Sequence, residues 1–258
     1  MKKILALLLA TLMLVAMVAC GGPEDTTEPT VTDDPTVTDD PTVTDDPTQS
    51  DDPATPTVMT YAEYAAAEID APVVIEAYVQ ATQSWWDNKI TVYTQDKDGA
   101  YFLYELACSE EDSAKLVPGT KIRVTGYKGT WAGEIEIMDG TFEIIEGADT
   151  YIAEALDVTA LLGTDDLIKH QNEFVAFKGM TIEKIEYKNG EPGDDIYVTV
   201  AKDGASYNFC VERYLTGPET EVYTAVGALE VGTVVDIEGF LYWYDAVNTH
   251  ITAITVVE

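Results

Sequence analysis

Two copies of one tetrapeptide, Lys97-Asp98-Gly99-Ala100 and Lys202-Asp203-Gly204-Ala205, split the chain into two versions of the same plan. Each is entered from a β-rich run, "ITVYTQ" from Ile90 and "IYVTVA" from Ile196, and each is followed by another, "YFLYEL" and "SYNFCVE". Further on, "LVPGTKIRVTGYKGTW" (Leu116 to Trp131) matches "LEVGTVVDIEGFLYW" (Leu229 to Trp243). Both read Leu-x-x-Gly-Thr, an alternating apolar run, Gly-aromatic, then a loop carrying tryptophan. Self-similarity on this scale dictates two like units, not one continuous fold. The offsets between copies are 202 − 97 = 105 and 232 − 119 = 113, which places eight extra residues in the helix or loop region of the second copy. The Asp-Gly pair predicts a tight hairpin turn with positive φ.

The order of elements within each copy narrows the fold. Apolar and polar residues alternate over short runs broken by Gly, Asp and Asn, the pattern of half-buried antiparallel strands. A long strand comes first (73–81; 173–185), then a hairpin around the tetrapeptide. A short helix or loop follows (109–115; 213–228). Two more strands close the copy (120–128 and 134–145; 233–242 and 247–257). Helical turns, "TYAEYAAAEI" and "DVTALLG", precede each copy. Three strands, a helix and two strands is the order of the OB-fold, a five-stranded Greek-key barrel. The chain thus resembles bacterial cell-surface lipoproteins with tandem OB-fold-like domains, and the expected fold is mainly β: two such barrels at 58–148 and 149–258. An immunoglobulin-like sandwich pair fits less well, with only about five strands per copy and no Cys…Trp…Cys pattern.

The N-terminus carries the most specific short motif. Lys2 and Lys3 precede an apolar run, Ile4 to Val18, of signal-peptide length. It ends in Met17-Val18-Ala19-Cys20-Gly21-Gly22, which resembles the lipobox of bacterial lipoproteins, with Met17 in place of the commoner leucine. That resemblance implies removal of 1–19 and a diacylglyceryl thioether on Cys20, so that the membrane is a partner through the anchor. Several acyl chains hold a protein on a bilayer far better than one. Residues 20–57 then form a spacer containing "TVTDDPTVTDDPTVTDDP" (Thr30 to Pro47). With almost no apolar content it is expected to stay disordered. Proline and like charge extend it, to a reach of ~100 Å if fully polyproline-like. The implied location is the extracellular face of a cell membrane, lipid-anchored, on a Gram-positive type of surface.

Charge limits the partners. Of 47 acids, 11 lie between Glu24 and Asp52, and two of the 14 bases precede Cys20, so the remainder carries 12 − 36 = −24. Nucleic-acid affinity rests on Lys and Arg neutralising phosphates, so binding of DNA or RNA is disfavoured. Lys121, Arg123 and Lys128, alternating near one strand, form the only local basic row. Neutral glycans, cations and basic protein faces remain open. Cys108 and Cys210 fall at unmatched places in the repeat and read as separate buried thiols.

No catalytic constellation emerges, and no cofactor is expected. His170 and His250 lack a motif-spaced partner for zinc, and no nucleophile elbow, P-loop or dinucleotide fingerprint occurs. Asp96-Lys97-Asp98-Gly99 echoes the start of a calcium loop without the later ligands and reads as a turn; Asp194-Asp195 reads as a solvated loop.

The tryptophans are the remaining signal. In OB-folds the loops between strands 1 and 2 and between strands 4 and 5 flank the ligand face. Trp85 and Trp86 fall in the first such loop, Trp131 in the second. Trp243, between Tyr242 and Tyr244, falls in the matching loop of the second copy. An indole offers flat apolar area at little entropic cost for stacking on a sugar face or a guanidinium. Trp85, Trp86, Trp131, Tyr242, Trp243 and Tyr244 are therefore the candidate ligand-binding residues, with Asp87, Asn88, Lys89, Glu134, Asp245 and Asn248 as nearby polar groups. Adjacent residues on extended backbone point oppositely, so of Trp85 and Trp86 one is expected inward and one outward. Three functions stay open: a noncatalytic module binding a glycan or protein through these rings, an accessory envelope lipoprotein with no small ligand, and a single-stranded nucleic-acid binder.

Overall fold

The computed structural model describes residues 57–257. The signal segment, Cys20 and nearly all of the repeat spacer lie outside the described residues. The described residues cluster as one compact unit.

The chain enters through helix α1 (Tyr61–Ala66). Its start is fixed by a capping box: the Thr60 hydroxyl accepts from the Glu63 N–H, and the Glu63 carboxylate accepts from the Thr60 N–H. Strands β1 (Pro72–Thr82), β2 (Lys89–Gln95) and β3 (Ala100–Ala107) follow, then α2 (Glu110–Ser113), β4 (Lys121–Trp131) and β5 (Glu134–Ile144). They close a barrel in the order β1-β2-β3-β5-β4. The closing pair β3–β5 runs parallel at Phe102↔Glu136, and the other neighbours are antiparallel. This is the OB-fold order. Period-two alternation on β1 turns Val73, Ile75, Ala77 and Val79 inward against Val92, Leu103, Ile122, Val124 and Ile137.

The second half begins with β6 (Leu156–Asp157), which pairs parallel with β7 (Phe174–Tyr187). Next come β8 (Ile196–Lys202), β9 (Ala205–Val211), α3 (Glu221–Gly227) and β10 (Val234–Phe240). A two-stranded turn of β11 (Trp243–Tyr244) and β12 (Ala246–Val247) leads to β13 (His250–Val256). The sheet order is β10-β13-β9-β8-β7-β6, and β10 also pairs with β7 from Val234↔Thr181 to Phe240↔Phe174. Strands β7, β8, β9, β13 and β10 thus follow the cyclic order of the first barrel, with a single parallel pair, His250↔Cys210, joining β13 to β9. A separate core built on Phe177, Met180, Val198, Phe209 and Ile237 fills this half.

Several expectations change in detail. The helical turn expected in "DVTALLG" is present as a 3-10 turn at Thr159–Leu161, and it is entered from the short strand β6. The last expected strand breaks into β12 and β13. The matched tetrapeptides make different turns. In the second copy Lys202 pairs with Ala205, and Asp203 (φ 50°) and Gly204 (φ 84°) form the expected two-residue turn with positive φ. In the first copy the ladder ends at Gln95↔Ala100, and the Asp96 carboxylate accepts the N–H groups of Asp98 and Gly99. Gly99 serves closeness there, since a Cβ on it would lie 2.4 Å from the Tyr61 ring. Cys108 and Cys210 are free and buried, as expected.

The extra residues of the second copy lie between β9, ending at Val211, and α3, starting at Glu221; in the first copy β3 ends at Ala107 and α2 starts at Glu110. The added turn packs onto the first barrel. Its Leu215 joins Phe174, Phe240 and Tyr242 against the outward-facing Tyr93 and Phe102 of β2 and β3. Tyr93 stacks on Phe240 at 4.5 Å, and Phe102 meets Tyr242 edge-on at 5.3 Å.

Candidate functional site

The residues of "SWWDNK" divide their labour. Trp85 turns inward against the first core and donates its Nε1–H to the Cys108 carbonyl at 2.8 Å. Trp86 faces water and is 80% exposed. It is held by the backbone: its N–H donates to the Lys89 carbonyl at 3.0 Å and its carbonyl accepts from Lys89 at 2.9 Å. Asp87 (φ 48°) and Asn88 (φ 61°) supply the two positive-φ positions that a two-residue turn of this kind demands. These two polar residues therefore shape the turn that presents the indole.

Beside Trp86 runs a groove of about 620 Å³. The first barrel contributes Gln83, Ser84, Lys89, Thr91, Tyr104 and Glu105, and the added turn of the second half contributes Arg213 and Tyr214. Tyr214 is held from both sides. Its N–H donates to the Glu212 carboxylate at 2.9 Å, and its carbonyl accepts from the Ser84 N–H at 2.8 Å. The Arg213 guanidinium lies 4.9 Å from the Tyr214 ring centre. Lys89 Nζ meets Glu105 Oε2 at 2.6 Å, with both side chains about half exposed. Tyr104, Arg213 and Tyr214 escape a reading of loop tryptophans alone. The extra residues of the second copy were the only sequence signal for Arg213 and Tyr214, and Tyr104, on β3, had none.

The other expected ring residues are split. Trp131 (61% exposed) and Tyr244 (52% exposed) face solvent from neighbouring turns, which meet where the Asp245 N–H donates to the Ala132 carbonyl at 2.6 Å. Tyr242 is packed instead between Phe102 and His250, stacking on the imidazole at 4.2 Å. Trp243 packs on the second core, against Gly133. The six rings do not form one face; Trp86, Trp131 and Tyr244 are the exposed members.

Glu134 is not a ligand-facing group either. It is fully buried where the first barrel meets the second half, and its Oε2 accepts from the Trp243 N–H at 2.7 Å and from Gln171 Nε2 at 3.2 Å. Burial pushes its carboxyl up to about 9, against the pull of the Trp243 N–H. Asn248 is packed as well, with Oδ1 buried and without a partner. Burial likewise pushes the Glu212 carboxyl up to about 7, with Asp195 adding to the rise.

The basic row is engaged elsewhere. Lys121 and Arg123 both pair with Glu76, at 2.7 and 2.8 Å. Lys128 donates to the carbonyls of Tyr64, Ala65 and Ala67 at the end of α1. Of the histidines, His170 Nδ1 sits 2.9 Å from Glu173, and His250 is buried against Tyr93. Asp195 is tied to Lys188 and to the Arg213 N–H. Among the described residues no group of three or more His, Cys, Asp or Glu is placed to hold a metal, and no helix is long and apolar enough to cross a membrane.

No family model matches the chain, and no curated protein does. Among solved structures it is similar to the HINb domain of p204, at 12% identity and a TM-score of 0.34, over 73% of this chain and 98% of that one. A murine DNA-binding protein bound to double-stranded DNA gives the same identity and TM-score, over 73% and 99%. A replication protein A heterotrimer bound to single-stranded DNA gives 12% and 0.31, over 72% and 49%. Likeness this slight carries no argument about what the chain binds.

Proposed function

We propose that the chain is a lipid-anchored lipoprotein of the extracellular membrane face whose two-barrel body is a noncatalytic binding module for a glycan or a protein ligand. The observation that carries this reading is Trp86, a large apolar ring held in water by a rigid turn beside a groove. A protein gains nothing in stability from an indole so placed, whereas a ligand that covers it removes apolar area from water.

Three further features support the reading. The lipobox-like Met17-Val18-Ala19-Cys20 and the acidic Thr/Asp/Pro repeat fit an anchor and a spacer. The shared cyclic strand order supports taking the second sheet as a second OB-fold-like barrel. The three bases that looked most like a phosphate track already hold Glu76 and the end of α1, which leaves nucleic acid disfavoured.

Two assays test this. Cells fed labelled palmitate should label the chain, and Cys20→Ser should remove the label. The purified full chain should co-sediment with insoluble envelope polysaccharide or shift with an envelope protein in a defined binary mixture. Labelling that survives Cys20→Ser contradicts the anchor, and failure of every binary mixture contradicts the module.

A further inference from the structure

We propose that the groove between Trp86 and Tyr214 is a binding site for a neutral oligosaccharide, built jointly by the two barrels. This rests on the binding-module reading and adds to it the site and the class of ligand.

The rings come first. Trp86, Tyr104 and Tyr214 line one groove and are 80%, 43% and 51% exposed. Pyranose rings present flat C–H faces, and aromatic planes cover them at the cost of few rotamers. A groove of about 620 Å³ also falls within the usual range of small-ligand sites.

Rigidity comes second. Neither Trp86 nor Tyr214 depends on its own side chain for position. Two backbone hydrogen bonds fix the Trp86 turn. The Tyr214 turn is fixed by the Glu212 carboxylate, by Ser84, and by half-buried Leu215 packed on the Tyr93–Phe240 cluster. Pre-formed walls spare a ligand the cost of ordering them.

Charge selects the ligand. The groove holds Lys89, Arg213 and Glu105, a formal +1, on a body of 12 − 36 = −24. A polyanion is repelled by the surrounding surface. A polycation meets two cations inside the groove. A neutral polyhydroxyl chain is rejected by neither, and its hydroxyls both donate and accept. The half-exposed Lys89–Glu105 pair offers a donor and an acceptor side by side for such groups.

The test is calorimetric titration of the full chain in detergent with neutral gluco-, xylo-, manno- and N-acetylglucosamine oligosaccharides of four to six units. A uronic-acid oligomer and a lysine-rich peptide are run alongside. One neutral series should bind. Trp86→Ala and Tyr214→Ala should each weaken it about tenfold or more, as loss of a stacked ring does. Tyr127→Ala, which removes an exposed ring outside the groove, should bind as the parent does. Thermal melts confirm folding, and Trp86→Ala carries the test alone if Tyr214→Ala does not fold. Neutral binding that ignores both variants but is lost in Trp131→Ala overturns the groove and leaves the module reading standing. Binding of only the uronate or the peptide overturns the ligand class. Silence from every ligand overturns the groove proposal, while the module reading is then decided by the envelope-protein mixtures.

Discussion

The Tyr93 hydroxyl of the first barrel lies 2.6 Å from Nδ1 of His250 in the second, with both side chains buried. Gln83 Nε2 donates to the same hydroxyl at 3.2 Å, which leaves the hydroxyl both a proton and a lone pair for the bond to Nδ1. Burial pushes His250 down to about 3, which keeps the ring neutral. The hydrogen bond is therefore one between neutral groups, set within the aromatic cluster that joins the barrels.

Removing that hydroxyl leaves a buried ring nitrogen of His250 without its partner. Tyr93→Phe should cost about 1–3 kcal/mol, the desolvation penalty of an unpaired buried group. Urea unfolding should show a lower midpoint with an unchanged slope. An unaltered midpoint would mean that the bond adds nothing to docking.

The adjacent tryptophans should behave oppositely. Trp86→Ala touches an exposed ring and should shift stability by less than about 0.5 kcal/mol. Trp85→Ala removes a packed ring and its bond to the Cys108 carbonyl, and should cost about 3 kcal/mol. Paired thermal melts of the two variants check the contrast.

Gly133 sits at φ 91°, and a Cβ there would lie 2.8 Å from Trp243 Cδ1. Gly133→Ala adds strain and pushes the indole off the turn. A loss of about 1–3 kcal/mol is expected, as for overpacking elsewhere. Gly147→Ala, at φ 72° with nothing within 4 Å, carries the backbone strain alone and should cost less. Melting temperatures of the pair separate strain from collision.

Three buried groups set a pH dependence. Glu134 (about 9) and Glu212 (about 7) hold protons that the unfolded chain releases near 4.5. Their contribution is complete below 4.5 and is lost as pH rises, through about 7 for Glu212 and about 9 for Glu134. His250 works the other way: its contribution is present above 6.5 and is lost as pH falls toward about 3. From pH 7 to 9 only Glu134 acts among the three, at up to about 1.4 kcal/mol per pH unit. Glu134→Gln should flatten that part of the curve and raise the melting point at pH 9. A variant that keeps the parent's slope from pH 7 to 9 would show that Glu134 ionises freely in the folded state.

Much of this architecture was legible because it repeats. The matched tetrapeptides and Leu-x-x-Gly-Thr runs mark hairpins and strands whose alternation fixes which side chains enter each core. The opposite facing of Trp85 and Trp86 follows from extended backbone geometry. The junction was not legible. Tyr93 and Phe102 alternate as any surface residues of β2 and β3 do, and Phe174, Leu215, Phe240 and Tyr242 of the second half cover them. Tyr242 and Trp243 look like loop aromatics because the residues that pack them, Phe102 and His250 for Tyr242 and the second core with Gly133 for Trp243, are distant in sequence. The two KDGA turns show the limit of local rules: one copy uses Gly204 for its φ, the other uses Gly99 to let Tyr61 approach.

The most direct test of the central claim is a fluorine NMR titration of the full chain labelled with 5-fluorotryptophan. Its four tryptophans give four resonances, each assigned by its loss in a single Trp→Phe variant. With the neutral oligosaccharide that binds, the Trp86 signal should move while those of Trp85 and Trp243, packed on the two cores, stay in place. Movement confined to Trp131, or a still Trp86 signal with every sugar, would contradict the account.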